Sequence, residues 1–355
     1  MKDASKLAKE IHTKNPHFIF ELIQNAEDNE YKDRTPTIKF IIDSGRLIIQ
    51  NNEKGFEEKN VWALCGIGET TKTKAVGYIG EKGIGFKSVF MVANKVQIYS
   101  KGFQFGFNYD EKNPVTMIIP EWIDEPPDFI DVNQTNIVLS IKPEIKSELP
   151  KYIEEIHPSL LLFLKKLRRI EIEDRDNCKL KRLEGHEKHG IVEVTYDDTK
   201  SYWKVIRRSF LVPKNLIEER RKNVTETEVV LAFPLKEDGF PDASATQSVF
   251  AFLPVRNYGF RFIIQADFLL PVSREDIIKD NAWNEWLRDC VVSVFLDALK
   301  EFKANPKLRH SFCDYLDEVV VAPSNSPYKF SPIFRIHYND RLPNAHGGIS
   351  HGFIE

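Results

Sequence analysis

The hydrophobic positions of the first 30 residues have a helical period. Phe18, Leu22 and Ala26 recur at spacings of four and form a single stripe. The stripe predicts a helix over 6–29 in two pieces, with Pro16 in the first turn of the second piece, where its missing N–H costs little.

Strand patterns then alternate with shorter helical ones. The remaining elements predicted up to residue 142 are a hairpin (37–43 and 46–51), helices over 57–65 and 86–93, and strands over 95–100, 103–109, 115–119 and 136–141. This order predicts an α+β fold, with helices gathered on one face of a mixed, mostly antiparallel sheet.

The pattern changes near 143–150, and we place a domain boundary there. The second region is predicted to contain a helix near 160–167, strands over 170–173, 191–196, 203–210, 227–233, 249–252 and 260–266, and an amphipathic helix over 283–302. The expected domains are 1–145, a middle α/β domain over 146–305, and an extension or linker over 306–355.

Composition narrows the class of protein. The chain has 355 residues, 42% of them hydrophobic, and a net charge of -3, which disfavours nucleic acid as the main partner. The four cysteines are far apart, which favours a reducing compartment. The start of the chain has no apolar signal-peptide core, and the longest apolar run, 160–164, is too short to span a membrane. We therefore expect a soluble intracellular protein of the cytoplasm or nucleus.

The first candidate for chemistry is Glu21 with Asn25. Their spacing of four places a carboxylate and a carboxamide on one helical face. Asn25 can offer a neutral oxygen to Mg²⁺, and Glu21 can accept a proton from an attacking water, so the pair suits an ATP site. A polar helix face with no chemical role explains the pair equally well.

Two further segments are loops. Asn51 ends a predicted strand shortly before Gly55 and Phe56, a place from which a side chain can read a base edge. Thr71 and Lys72 lie in a polar loop that can form a lid over phosphates. Taken alone, each segment is explained more simply, the first as a loop capped by Asn and the second as a solvated loop.

The glycine turn is the fourth segment. Gly80, Gly83 and Gly85 precede the helix predicted to begin at Phe86, and backbone N–H groups at a helix start bind anions. The order G-x-x-G-x-G differs from the dinucleotide-binding G-x-G-x-x-G. Phe86 also breaks the glycine-lysine ending of a P-loop.

Together these segments resemble the GHKL (Bergerat-fold) ATPases, which include the ninety-kilodalton heat-shock chaperones, MutL, type II topoisomerases and histidine kinases. The residues 21–29, 51–56 and 80–90 resemble most of all sacsin and the plant NO VEIN type proteins. The resemblance covers 1 to about 142 and implies a Bergerat-type α/β sandwich that binds ATP and Mg²⁺. The ATP-binding residues that it implies are Asn25, Asp28, Asn51, Gly55, Phe56, Thr71, Lys72, Gly80, Gly83, Gly85, Phe86 and Thr135, with Asn25 also a Mg²⁺ ligand and Glu21 catalytic.

Two positions depart from the superfamily. Asn51 stands where most members have Asp, and Glu53 replaces the first glycine of the usual D-x-G-x-G. A hydrogen bond to a charged group contributes about 1.5–3 kcal/mol against about 1 for a neutral one, so Asn51 is expected to weaken adenine binding or relax base choice.

In the second region 265–275 resembles a heat-shock chaperone middle-domain segment. The resemblance implies that Arg274 reaches the γ-phosphate and neutralises its charge. The Gln that those chaperones have four residues later is Ile278 here. A surface Arg274 paired with Glu275 or Asp276 is an equal alternative.

The function expected from sequence is a slow ATPase module of a chaperone-like or conformational-switch protein, with lid closure and interdomain docking. The alternative is a nucleotide-gated protein-binding module with little or no hydrolysis. A histidine kinase is disfavoured because no helical hairpin with a phospho-acceptor histidine precedes the pocket. A protein client is expected. The sequence leaves open the client's identity, a homodimer, and membership in a longer chain.

Overall fold

The computed structural model describes residues 18–32, 34–66, 85–222, 224–271, 276–310 and 312–315. The chain divides into two compact units: residues up to 186 with 195–199, and residues 187–194 with those from 200 onward.

The first unit contains short helices and a large sheet. Its helices are α1 (Phe18–Asp28), α2 (Glu58–Cys65) and α3 (Leu149–Glu154), with 3-10 helices at Phe86–Met91, Pro114–Met117 and Pro158–Leu162. Its strands are β1 (Thr37–Asp43), β2 (Arg46–Asn51), β3 (Ala93–Ser100), β4 (Phe103–Asn108), β5 (Glu121–Trp122), β6 (Thr135–Ile141), β7 (Arg169–Asp174) and most of β8 (Lys179–Lys188).

The strands of this unit lie in the order β8-β7-β1-β2-β6-β3-β4-β5. The pair β1–β7 is parallel, and the other pairs are antiparallel. The sheet is therefore mixed and mostly antiparallel. Because β7 pairs with β1, the boundary expected at 145/146 falls inside this unit.

The hairpin of β1 and β2 follows directly from its turn residues. Ser44 and Gly45 have φ of 52° and 77°, the two left-handed residues that a tight two-residue hairpin requires. The register pairs Asp43 with Arg46 next to the turn and Ile38 with Asn51 at the far end, so the two strands pair without a break.

Strand alternation separates the two faces of this sheet. Ile41, Ile48 and Val138 form a core on one face, together with Tyr99 and Ile130. Residues one position along each strand project to the opposite face. The β2–β6 register places Asn51 directly opposite Thr135, so both side chains belong to that second face.

The second unit packs a long helix on a sheet. Its elements are most of β9 (Ile191–Tyr196) and β10 (Thr199–Leu211), then β11 (Glu226–Leu235), β12 (Ser248–Ala251), β13 (Leu253–Asn257), β14 (Ile263–Gln265), α4 (Ala282–Ala304) and 3-10 helices at Glu219–Arg221 and Phe312–Tyr315. The strand order is β13-β12-β14-β11-β10-β9. Phe233 of β11, Phe262 and Phe295 of α4 stack in its core.

Three predicted elements differ from the structure. The strand expected over 115–119 is wrong, because Pro114 begins a 3-10 helix there. The helix expected near 160–167 is a 3-10 helix, Pro158–Leu162, and the one over 86–93 is a shorter 3-10 helix because β3 already begins at Ala93. The sheet of the first unit is mixed and mostly antiparallel, whereas the α+β class with helices on one face, the Bergerat type and the chaperone-like second domain stay predictions.

Candidate functional site

The helix α1 holds Glu21 and Asn25 between a buried stripe and the solvent. Its stripe of Phe18, Leu22 and Ala26 is buried in the core, as the sequence predicted. Glu21 and Asn25 lie one turn apart and are both half-buried. A side chain in this setting is held in place by packing and still keeps contact with solvent.

The Glu21 carboxylate lies against the last glycine of the glycine turn. A Cβ added at Gly85 would overlap Glu21 Oε2, so a larger residue there would push the end of the Glu21 side chain aside. Phe86, which follows it, is buried and begins the 3-10 helix. Ser88 Oγ donates to the Gly85 carbonyl at 2.6 Å and closes the turn. The structure thus brings together two separately predicted segments, α1 and the glycine turn.

Lys87 continues this turn into the core as a buried cation. Its side chain is 1% exposed, and Nζ donates to the carbonyls of Leu64 and Met117, the latter at 2.6 Å. Burial lowers the pKa of the Lys87 ammonium to about 8. Nζ also lies 4.7 Å from the centre of the Phe107 ring, a weaker cation–π contact.

The side chain of Asn51 forms three hydrogen bonds within its own unit. Its Nδ2 donates to Tyr31 Oη at 2.8 Å and to the Thr37 carbonyl at 2.9 Å. Its Oδ1 accepts from Asn29 Nδ2 at 3.4 Å. Tyr31 Oη in turn donates to the Ala26 carbonyl of α1 at 2.7 Å, so Asn51 faces the same side of the sheet as α1.

This network explains why residue 51 is Asn. Asp has no N–H to give to the Thr37 carbonyl, and its carboxylate would face that carbonyl as a second acceptor. We expect Asn51→Asp to destabilise the protein by about 1–3 kcal/mol, the cost of unmade buried hydrogen bonds. Urea unfolding at neutral pH measures this.

The matched change for that experiment is Asn113→Asp. Asn113 is exposed, makes no side-chain capping bond and lies just before Pro114 in the same unit, so the same change there breaks no buried hydrogen bond. A loss of stability no larger for Asn51→Asp than for Asn113→Asp would contradict the structural role of Asn51.

A chain of hydrogen bonds crosses the neighbouring strand ends. The Phe56 N–H donates to Ser100 Oγ at 2.9 Å, and Ser100 Oγ lies 2.6 Å from Thr135 Oγ1. Thr135 Oγ1 donates to Glu53 Oε1 at 2.7 Å. A hydroxyl has one proton, and Thr135 donates its proton to Glu53, so Ser100 must donate to Thr135. Every donor in the chain therefore points toward the Glu53 carboxylate.

Gly55 allows the loop that carries Glu53 to close. Its φ is 89°, and a Cβ there would lie 2.8 Å from Lys101 Cβ. Its backbone N–H bonds to the Glu53 carboxylate, while burial raises the pKa of Glu53. The glycine expected at this position is therefore required by the loop itself.

The carboxyl end of α1 is tied to a later part of the chain. Glu27 accepts backbone N–H bonds from residues 165, 166 and 167 at 2.6, 2.9 and 2.9 Å. Lys166 Nζ donates to the carbonyls of Asp28 and Asn29. These bonds fix the end of the helix that carries Glu21 and Asn25, and they place the backbone of Asp28 beside a cation.

Part of the predicted site lies outside the described residues. These positions are Thr71, Lys72, Gly80, Gly83 and Arg274. Within the described ranges, no group of three or more His, Cys, Asp and Glu side chains is arranged for a metal. The Mg²⁺ predicted at Asn25 needs only one protein ligand beside phosphate oxygens and waters, and it stays a prediction.

Sequence reasoning missed the central position of Glu53. It marked this residue only as a replaced glycine, although an acid two residues after a strand end and two before Gly55 was a usable signal. It gave no role to Ser100, Tyr31 or Glu27, whose partners are distant in sequence.

The first unit is thus a mixed-sheet unit in which a helix-borne carboxylate meets a glycine turn beside a row of polar strand ends. No family model matches the chain. Over 329 residues the chain is 37% identical to Protein NO VEIN of Arabidopsis thaliana. The aligned part is 84% of this chain and 12% of that protein.

The chain is therefore homologous to a segment of Protein NO VEIN, and the resemblance to NO VEIN type proteins is confirmed. The wider GHKL assignment and the resemblance to sacsin stay predictions. Among the described helices, none combines the length and apolarity needed to cross a membrane.

Proposed function

We propose that the first unit binds ATP with Mg²⁺ in a GHKL-type pocket and hydrolyses it slowly. The observation that carries this proposal is the contact of Glu21 Oε2 with the Gly85 backbone. It puts an acceptor for the proton of a water next to a turn whose backbone can approach an anion closely.

The described residues fit such a ligand. Glu21 and Asn25 are half-buried on one helical face, and Thr135 and Glu53 supply hydrogen-bonding groups at the strand ends on the α1 side of the sheet. When bound, Mg²⁺ supplies charge neutralisation for the phosphates. The protein's part is to orient a water through Glu21 and to hold the base and phosphates in place.

Calorimetry tests binding directly. We expect the protein to bind ATP in the presence of Mg²⁺ with measurable heat, and not to bind ribose 5-phosphate, because the base contributes to recognition. Wild-type protein that gives no saturable heat with ATP at millimolar concentration contradicts the proposal.

The second candidate function is a nucleotide-gated protein-binding module with little or no hydrolysis. It is favoured by Asn51, whose two amide N–H groups are already committed to Tyr31 and Thr37. Such a module would bind ATP but release no phosphate above the uncatalysed rate. Lid closure by 66–77, docking of Arg274 and a protein client belong to both proposals as predictions of the resemblance.

A further inference from the structure

The Glu53 carboxylate can accept more hydrogen bonds than its own unit donates to it. An ionised carboxylate offers about four acceptor positions. Thr135 Oγ1 and the Gly55 N–H fill two of them. Among the described residues, no Lys or Arg forms an ion pair with Glu53. Lys54 pairs instead with Glu30 at 2.7 Å and Glu57 at 3.6 Å, and Lys54 and Lys101 act on Glu53 only through longer-range attraction.

The hydrogen-bond chain behind Glu53 fixes its role as an acceptor. The Phe56 N–H donates to Ser100, Ser100 donates to Thr135, and Thr135 donates to Glu53. The chain therefore ends on a group that accepts hydrogen bonds. Burial opposes the charge of this group, as the raised pKa of Glu53 reflects. One more donor would therefore be favourable here.

Asn51 is a poor alternative for the same task. Both of its N–H groups are used, and its oxygen already accepts from Asn29. Glu53 and Asn51 leave the same strand end, two residues apart, beside Thr135. Asn51 Oδ1 keeps one acceptor position, whereas the charged Glu53 carboxylate keeps about two, so the stronger acceptor left at this end of the sheet is the carboxylate.

We propose that Glu53, held by Thr135 and Ser100, reads the base of the bound nucleotide by accepting a hydrogen bond from an exocyclic amino group, and so selects a 6-aminopurine over a 6-oxopurine. This inference rests on the proposed nucleotide binding. A 6-oxopurine would present a carbonyl oxygen to the carboxylate, and two acceptors repel.

The test compares ATP with inosine triphosphate, which differs at the 6-position and keeps the ribose and phosphates. We expect wild-type protein to bind ATP about ten- to a hundredfold more tightly than inosine triphosphate, measured by calorimetry with Mg²⁺. Glu53→Gln, which can donate or accept, is expected to bring this ratio close to one.

Glu30→Gln is the matched control, since it removes the same charge from an exposed acid that pairs with Lys54. Its ratio is expected to equal that of wild type. Glu53→Asp keeps the charge but shortens the side chain, and it should lower the ratio; it decides the matter if Glu53→Gln does not fold.

The outcomes separate the inference from the proposed function. Wild-type protein that binds neither nucleotide overturns both. Wild-type protein that binds ATP with no preference over inosine triphosphate, or a preference that survives in both Glu53 variants, overturns the inference alone and leaves nucleotide binding in place.

Discussion

Glu21→Gln is expected to lower the steady-state rate of ATP hydrolysis by about 10²- to 10⁴-fold, the usual contribution of a positioned general base. Gln keeps the shape of the side chain against Gly85 but cannot accept a proton from water. The dissociation constant for ATP should change little, because the loss is confined to the transition state. Phosphate release at saturating ATP, with calorimetry alongside, measures both quantities.

Gly85→Ala probes the same contact without changing any charge. A Cβ at residue 85 would overlap Glu21 Oε2 and displace the carboxylate, so hydrolysis should again fall. Glu30→Gln, an exposed acid, should hydrolyse ATP at the wild-type rate. Unchanged hydrolysis in Glu21→Gln would remove Glu21 from the chemistry, and wild-type protein that binds ATP without releasing phosphate would favour the gated binding module.

Lys87 is expected to make the free energy of unfolding rise with pH. The ammonium has a pKa of about 8 in the folded chain, against about 10.4 in an unfolded one. Between these values the unfolded chain binds the proton and the folded chain does not, so stability rises through this window. The full contribution is about 3 kcal/mol.

Cys65 has the opposite effect on the free energy of unfolding, which it lowers as the pH rises, because burial raises the pKa of its thiol. The Lys87 contribution is therefore isolated by comparison with Lys87→Met, through denaturant unfolding from pH 7 to 10.5. Wild type should gain stability relative to the Met variant as the pH rises. The exposed Lys95→Met should run parallel to wild type, and a Lys87→Met curve that also does so would contradict the prediction.

The elements that the sequence predicted well are those with a strong local period. The stripe of α1 and the Ser44-Gly45 hairpin depend on neighbours in sequence, and both are present in the structure. The strand β8 was missed because most of its side chains are exposed or half-buried, with Leu183 and Gly185 as its buried positions. A strand of that kind has no hydrophobic alternation to detect.

In the candidate site, likewise, the local motifs were predicted from the sequence and the contacts between distant residues were not. Glu21 and Gly85 come from two of the predicted motifs and lie next to each other, whereas the pocket that the motifs were predicted to share stays a prediction. The commitment of Asn51 to the Thr37 carbonyl was not predictable, because the partner is a backbone atom on another strand. The Glu53 bond to Thr135 spans 82 positions and depends on the loop closure at Gly55.

The bonds between Glu27 and residues 165–167 also set the order in which the chain can fold during synthesis. They join groups up to 140 positions apart, and β7 follows directly after them. At about 5–20 residues per second, a ribosome needs on the order of ten seconds to make that length. Throughout that interval the edge of β1 that pairs with β7 in the folded unit has no partner strand, and an open strand edge is the kind of surface that pairs with other chains.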